Sequence, residues 1–161
     1  MPKLVVTSIG PASSVQDAGR PGAQRYGLPP SGVMDRLSLA TTNVLVGNAP
    51  MAAAIELGPF GAAFTARGGP VRVALAGAQR NGDIAKHPIA SDTSMTIAEG
   101  ETLTLGFARN GSFSYLAIEG GIEAQPGIDA DHQQIEQVGK DLPIALGERA
   151  LPAHEVEIRA G

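Results

Sequence analysis

The sequence predicts a mainly β fold, an all-β barrel or sandwich that carries one main α-helix. Short apolar runs recur roughly every 8 to 12 residues, which is the spacing of strands in such folds. The turns between them use the 21 Gly and 12 Pro of the 161 residues. Only one segment combines a helical apolar period with a start signal and a stop signal. A chain of this length fits one domain, which can remove about 70% of its unfolded surface from water.

The one helix is predicted over about 35–46. Asp35 stands at its start, where unpaired backbone N–H groups and the helix dipole favour a carboxylate. Gly47 and then Pro50 end it, because Gly supplies a left-handed cap and Pro cannot continue the helix. We expect the helix to cover or plug the barrel through one apolar stripe. The stripe consists of Leu37, Ala40, Val44 and Leu45.

The predicted strands are runs rich in Val, Ile, Leu, Ala and Thr. They are residues Lys3–Ile9, 52–57, 62–66, 71–76, 94–98, 103–107, 113–118, 142–146 and 155–159, the last as a half-exposed edge strand. Gly58 to Gly61 predicts a hairpin between 52–57 and 62–66. Asn81-Gly82 predicts a second tight hairpin, with a strand resuming at Ile84. Residues 129–139 fit a short helix or a loop equally well.

The composition argues against several function classes. Without Cys the chain has no disulfide or thiolate metal site, and its three His are far apart, so we expect no metal. Twelve basic and sixteen acidic residues are spread without blocks, so we expect no nucleic-acid partner. No run approaches the roughly 20 apolar residues of a membrane span. We therefore expect a cytoplasmic protein with no membrane partner.

The connection over residues 16–32 is the first candidate site, because long Gly- and Pro-rich loops in small domains are often functional. We read it as a loop from Val15 onward. Asp17 and Arg20 lie three residues apart in it, and a guanidinium binds a carboxylate through two parallel hydrogen bonds. The same two residues could instead pair with each other and fix the loop.

Other polar residues allow two interpretations each. Ser31 and Asp35 could present a hydroxyl and a carboxylate to a ligand, or simply cap the helix. Asn43 and Asn48 could bridge backbone groups or cap the end of the helix. Glu56 lies among apolar neighbours, so it suits proton transfer from a partly buried position, or it is the outward residue of a strand or the partner of an Arg.

Six motifs together resemble one family. They are residues 15–20 (VQDAGR), 30–35 (PSGVMD), 43–48 (NVLVGN), 53–57 (AAIEL), 73–78 (VALAGA) and 115–122 (YLAIEGGI). Their order and spacing resemble the KipA-like family, also described as allophanate hydrolase subunit 2 or the biotin-dependent carboxyltransferase family. That family includes the C subunit of the bacterial ATP-dependent 5-oxoprolinase and part of the carboxyltransferase region of urea carboxylase. The resemblance covers about residues 3 to 122.

The resemblance implies a cyclophilin-like β-barrel. Family members usually carry two such halves, and a Gly-Ser-Arg-Ser-Thr type segment follows their Gly-Gly-Ile. That segment is missing after Ile122. We therefore expect one cyclophilin-like domain over 1–161 that matches the first half of the family, with residues 123–161 as a divergent tail.

The resemblance also implies the function, as a non-autonomous subunit of an ATP-dependent complex that opens the lactam 5-oxoproline to glutamate. Its implied partners are a KipI-like subunit (allophanate hydrolase subunit 1) and a lactam-utilisation subunit of the LamB/YcsF type. One alternative is a biotin-dependent carboxyltransferase of the urea amidolyase type, with biotin on a separate carrier. Another is a KipA-like module that sequesters a KipI-like kinase inhibitor and has no chemistry.

We predict two groups of site residues. The candidate catalytic residues are Asp17, Arg20 and Glu56. The candidate substrate-binding residues are Gln16, Ser31, Gly32, Asp35 and Asn48. ATP is expected to be used by the complex, and its site need not lie on this chain, because the Gly pairs at 68–69 and 120–121 lack a phosphate-loop context.

Overall fold

The structure is a computed structural model that describes residues 2–19, 22–27, 31–122 and the backbone of 156–159. In these ranges the chain forms eleven β-strands, one α-helix and one 3₁₀ turn. They follow the order β1 (Lys3–Ile9), β2 (Ser14–Gln16), a 3₁₀ turn (Ala23–Tyr26), α1 (Arg36–Leu45), β3 (Ala54–Leu57), β4 (Ala62–Arg67), β5 (Val71–Gly77), β6 (Arg80–Ile84), β7 (His87–Pro88), β8 (Thr93–Ile97), β9 (Thr102–Ala108), β10 (Ser114–Ile118) and β11 (Val156–Arg159). The predicted mainly β fold with one main helix is confirmed.

The strands form two antiparallel sheets that enclose one apolar core. The six-stranded sheet has the order β11-β1-β4-β9-β6-β7, and the five-stranded sheet has the order β2-β3-β10-β5-β8. Large side chains from both sheets meet between them and are almost fully buried. They include Leu4, Phe64 and Leu103 from the first sheet and Ile55, Leu75, Leu116 and Ile118 from the second.

The three central strands of the five-stranded sheet, β3, β10 and β5, are mostly buried on both faces, which explains why they read as nearly continuous apolar runs. Along β5, Val73 and Leu75 face the other sheet, whereas Ala74 between them belongs to a second apolar cluster under the helix. Ala54 and Ala117 on neighbouring strands belong to the same cluster. Small alanines on this outer face let α1 lie close to the sheet, as a side cover.

The helix has the predicted bounds but buries a different face. Asp35 is its N-cap, Val46 its C-cap, and Gly47 follows in the left-handed conformation with φ of 80°. The residues that face the sheet are Leu39, Thr42, Asn43 and Val46. The predicted stripe is wrong, because Leu37 and Val44 are exposed.

Polar groups explain the different choice of face. Thr42 Oγ1 lies 2.8 Å from the carbonyl oxygen of Ala74 and 3.2 Å from that of Tyr115. Asn43 Nδ2 donates to the carbonyl oxygens of Leu39 and Ala52 at 3.2 and 2.8 Å. Because these side chains find acceptors, they can be buried at little cost, and an apolar pattern does not reveal this.

Both predicted hairpins are wrong. Strands β3 and β4 follow each other in sequence but belong to different sheets, so the turn at 58–61 carries the chain across the core. A Cβ on Gly58 would lie 2.7 Å from the carbonyl oxygens of Pro11 and Ala12, so this crossing requires Gly. Asn81-Gly82 lies inside β6, and the tight turn is Ala85-Lys86, where φ is 50° and 70°.

Two further predictions concern strands at sheet edges. Val15 and Gln16, which we read as loop, belong to the short strand β2, which lies at the edge of the five-stranded sheet and pairs with β3. The predicted edge strand at 155–159 is confirmed as β11, which pairs with β1. Residues 129–139 and 142–146 lie outside the described residues. Among those that are described, no helix is long and apolar enough to cross a membrane.

Candidate functional site

Glu56 and Tyr115 form a buried polar pair on the helix-facing side of the five-stranded sheet. They lie opposite each other in the β3–β10 register, so their side chains share one face. The Tyr115 hydroxyl donates to Glu56 Oε2 at 2.8 Å, and Glu56 is only 5% exposed. Burial, together with this hydrogen bond, raises the pKa of Tyr115 above its ordinary value.

The same two side chains hold the segment that leads into α1. The backbone N–H of Met34 donates to Glu56 Oε2 at 2.9 Å, and that of Asp35 donates to the Tyr115 hydroxyl oxygen at 2.8 Å. A carboxylate and a phenol from two strands therefore fix two consecutive peptide groups. The position of the start of the helix depends on both side chains.

Asp35 caps the helix that follows. Its Oδ1 accepts hydrogen bonds from the N–H groups of Leu37 and Ser38 at 3.0 and 3.2 Å, and its Oδ2 accepts one from Ser38 Oγ at 2.5 Å. The bond from the Ser38 hydroxyl, supported by the two N–H bonds, lowers the pKa of this carboxyl group. The carboxylate occupies the place that an anion would take at the helix start, so the geometry favours the capping interpretation of Asp35.

The loop after β2 packs against the segment before the helix. Asp17 Oδ1 accepts a hydrogen bond from the N–H of Gly19 at 2.8 Å, and the Asp17 carbonyl accepts one from Val33 at 3.2 Å. Gly32 has φ of 91°, and a Cβ there would lie 2.7 Å from the nitrogen of Gly19. Ser31 precedes it with φ of 49°. The two loops can approach this closely because Gly32 lacks a side chain.

Gln16 carries a hydrogen-bond acceptor that none of the described residues uses. Its Nε2 donates to Ser14 Oγ at 3.0 Å, while its Oε1 is buried without a hydrogen-bond partner among the described residues. Ser14 is opposite Glu56 in the β2–β3 register, so Gln16, Ser14 and Glu56 lie on one face of the sheet. A buried carbonyl oxygen without a donor is costly, and a ligand N–H would satisfy it.

The structure therefore brings six of the eight predicted site residues into one region, which we call the helix-start cluster. It consists of Gln16, Asp17, Ser31, Gly32, Asp35 and Glu56. Asn48 lies at the other end of α1, where its side chain contacts Asn43, the Ile118 carbonyl and the Gly120 N–H. Arg20 lies outside the described residues. The catalytic and binding roles remain predictions for all eight.

An open cleft of about 390 Å³ lies beside the start of α1. Met34, Asp35 and Ser38 line one side, and Gly77 and Gly111 lie among the residues of the other. A small polar molecule fits this volume. Among the described residues, no group of three or more His, Asp or Glu side chains could hold a metal ion.

Tyr115 and the N–H of Met34 are the parts of this site that sequence reasoning did not assign. Tyr115 is 59 residues from Glu56 and becomes its neighbour only through the β3–β10 pairing. The one available signal was that Tyr115 lies in an otherwise mostly apolar strand, because a buried tyrosine hydroxyl needs a partner.

Comparisons with known proteins support the resemblance. The sequence profile of the carboxyltransferase domain, subdomain A and B, matches residues 26–148. The 5-oxoprolinase C subunit of Escherichia coli K12 is 30% identical over 159 aligned residues, which cover 91% of this chain and 50% of that protein. The urea amidolyase of Lachancea kluyveri is 37% identical over 119 residues, or 73% of this chain and 6% of that protein.

A solved structure agrees with the sequence relatives. The crystal structure of TTHA0988 matches with a TM-score of 0.72 at 32% identity, over 78% of this chain and 26% of that one. The chain spans half or less of the length of these relatives. The profile nevertheless covers well over half of the chain itself, and the fold agrees with it. This chain belongs to the family of carboxyltransferase domains, subdomain A and B.

Proposed function

We propose that this chain is a non-autonomous subunit of a cytoplasmic, ATP-dependent complex of the 5-oxoprolinase type, which opens the lactam ring of 5-oxoproline to give glutamate. The relative named as the C subunit of a 5-oxoprolinase matches 91% of the chain, which supports this choice. The observation that carries the proposal is the helix-start cluster, where an unused amide oxygen and a buried carboxylate lie on one face of the sheet.

In this proposal, Gln16 recognises the amide group of the substrate. A lactam carries one N–H donor and one carbonyl acceptor, and the unused Oε1 of Gln16 complements the N–H. Ser31, Gly32 and Asp17 shape the adjacent loops. For Glu56 we propose that the carboxylate holds the N–H of Met34 and the Tyr115 hydroxyl, so that the loops keep the geometry that substrate binding needs.

The start of α1 does not fit the phosphates of ATP. Phosphates bind at the free N–H groups of helix starts and Gly-rich loops, but the start of α1 is already occupied by the Asp35 carboxylate, which would repel them. We therefore assign ATP binding to the partner subunits, for which the KipI-like and LamB/YcsF-like proteins are our candidates.

The second candidate is a biotin-dependent carboxyltransferase of the urea amidolyase type. It is favoured by the 37% identity to a urea amidolyase. Urea, like a lactam, presents N–H donors, so the unused acceptor of Gln16 suits both substrates. Biotin would have to come from a separate carrier in this case.

Reconstitution distinguishes the two candidates. We expect the chain with its KipI-like and LamB/YcsF-like partners to convert 5-oxoproline to glutamate only when ATP is present, and the chain alone to give no turnover. Glutamate formation is followed by an enzyme-coupled assay. Biotin-dependent carboxylation of urea, with no glutamate formed from 5-oxoproline, would reject the first candidate in favour of the second.

A further inference from the structure

The carboxylate of Glu56 uses only one of its two oxygens to bind the described residues. It accepts hydrogen bonds from the N–H of Met34 and from the Tyr115 hydroxyl, and both of these bonds reach Oε2. Glu56 is only 5% exposed, so the whole carboxylate lies at or below the surface of the sheet. Its second oxygen, Oε1, is therefore an acceptor to which none of the described residues donates, in a place with little access for water.

A second acceptor without a donor lies beside it. Ser14 is directly opposite Glu56 in the β2–β3 register, where Cβ atoms are about 5 Å apart. The amide of Gln16 folds back onto Ser14, because its Nε2 donates to Ser14 Oγ at 3.0 Å. The buried Oε1 of that amide has no partner among the described residues. The Gln16 amide and the Glu56 carboxylate thus both border Ser14, and a ligand group with several N–H donors satisfies both of their free oxygens.

The negative charge of Glu56 favours a donor that is itself positively charged. Among the described residues, both donors to Glu56 are uncharged, because one is a backbone N–H and the other is a phenol. Burial is the largest cause of the raised pKa of Tyr115, and the negative charges of Glu56 and Asp35 add to it. Two carboxylates therefore lie near one phenol. Because a buried charge is costly unless a group of opposite charge pairs with it, this place suits a cation.

We propose that Gln16 Oε1 and Glu56 Oε1 bind the ammonium group that forms when the lactam ring opens, an inference that rests on the 5-oxoprolinase-type function proposed above. In 5-oxoproline the ring nitrogen is an uncharged amide with one N–H. Net hydrolysis breaks the C–N bond, the water oxygen joins the carbonyl carbon to form a carboxylate, and both water protons go to the nitrogen. The nitrogen becomes the ammonium group of glutamate, which is the charged form of an α-amino group at neutral pH.

The two acceptors therefore distinguish the open product from the closed substrate. The single N–H of the lactam needs only the oxygen of Gln16. The ammonium group carries three N–H donors and a positive charge, so it also engages Glu56, and charge-assisted hydrogen bonds of this kind are stronger than neutral ones. The helix-start cluster is thus a site for the amino group of the product as well as for the lactam.

Isothermal titration calorimetry of the full chain tests the ammonium site without any turnover. L-Glutamate is compared with glutarate, which has the same two carboxylates at the same spacing but no amino group. We expect glutamate to bind at least tenfold more tightly than glutarate, because only glutamate forms the charge-assisted bond. Equal affinities, or no binding of glutamate at millimolar concentration, overturn the proposal.

Glu56→Gln shows which group is responsible for the preference. The amide keeps an oxygen that can accept from Met34 and Tyr115, but it removes the charge, so the ratio of the two affinities should fall to about one. A general change in the loops would weaken both ligands and leave the ratio unchanged. Glu99→Gln is the matched control, because Glu99 is exposed and should keep the wild-type ratio. A Glu56→Gln chain that keeps this ratio also overturns the proposal.

Failure of this inference differs from failure of the proposed function. A reconstituted complex that does not convert 5-oxoproline to glutamate rejects the function, whatever the chain binds. Equal affinities for glutamate and glutarate, in a complex that does open the lactam, reject the ammonium site alone.

Discussion

The hydroxyl of Tyr115 connects a strand, a buried carboxylate and the start of the helix. It donates to Glu56 and accepts from the N–H of Asp35, so one oxygen takes part in two hydrogen bonds that join distant parts of the chain. Neither bond follows from the residues near Tyr115 in sequence. At the residue scale, the site depends on pairs of side chains that only the sheet register brings together.

Tyr115→Phe should lower the free energy of unfolding by about 1 to 3 kcal/mol, the usual cost of leaving a buried polar group unpaired. Denaturant unfolding measures this loss. Tyr26→Phe is the control, because Tyr26 is exposed and should change stability little. An unchanged midpoint for Tyr115→Phe would mean that the hydroxyl does not support the start of the helix.

The raised pKa of Tyr115 also predicts a pH dependence. Below pH 10, the ordinary tyrosine value, both the folded and the unfolded chain keep this proton. As the pH rises above 10, the unfolded tyrosine ionises while the folded one does not, so stability falls. Wild type should therefore lose more stability than Tyr115→Phe between about pH 9 and pH 11. If the free energy of unfolding fell equally with pH in the two proteins, that result would contradict the raised pKa of Tyr115.

At the scale of elements, the sequence predicted where the helix begins and ends better than which face it buries. Asp35 and Gly47 are local signals, and both act as predicted. The buried face depends on acceptors that the sheet offers to Thr42 and Asn43, and no local pattern contains them. The hairpin turn predicted at Asn81-Gly82 is wrong for a related reason, because pairing between β6 and β9 holds these residues in a strand.

Gly32→Ala tests how closely the two loops of the site pack. The added Cβ would lie 2.7 Å from the nitrogen of Gly19, in a backbone with φ of 91°. Gly47→Ala is the matched control, because φ is similar at 80° and the space around it is open. We expect Gly32→Ala to cost about 1 to 3 kcal/mol more than the control in thermal or denaturant unfolding. If both variants lost the same free energy of unfolding, the two loops could move apart without destabilising the protein.

At the scale of the whole molecule, Arg80 joins the two sheets. Its guanidinium is buried and uses all five N–H groups, with Ser114 Oγ at 2.6 Å, the carbonyls of Phe60 and Gly106 at 2.6 and 3.0 Å, and those of Leu57 and Gly58. The chain crosses between the sheets at this point. The hairpin predicted at residues 58–61 is wrong because turn residues indicate only that the chain changes direction. They do not indicate which strands pair, and here the partners come from distant parts of the chain.

Arg80→Met should remove this connection and destabilise the fold by about 3 to 5 kcal/mol, because several buried carbonyls lose their donor at about 1 to 3 kcal/mol each. Arg72→Met is the control, since Arg72 is a surface residue whose ion pair with Glu119 should contribute at most about 1 kcal/mol. Guanidinium chloride unfolding compares the two variants. Similar midpoints would show that the sheets are held together without Arg80.

The structure brings together part of the predicted set of residues, for the same reasons. Gln16, Asp17, Ser31 and Gly32 lie in one connection of the sequence, so a single long loop indicated them together. Glu56 was indicated by a charge within an apolar run. Asn48 belonged to the same set of motifs, but the length of the helix, about 1.5 Å per residue, separates it from the others.

We propose above all that the helix-start cluster recognises substrate through the Oε1 atom of Gln16. The most direct test is kcat/KM for 5-oxoproline in the reconstituted complex with Gln16→Ala, with Gln24→Ala as the control, because Gln24 is exposed in the 3₁₀ turn. We expect Gln16→Ala to lose about tenfold, which corresponds to about 1.4 kcal/mol, at an unchanged unfolding midpoint, and Gln24→Ala to lose nothing. A Gln16→Ala complex that turns over like wild type would contradict the claim.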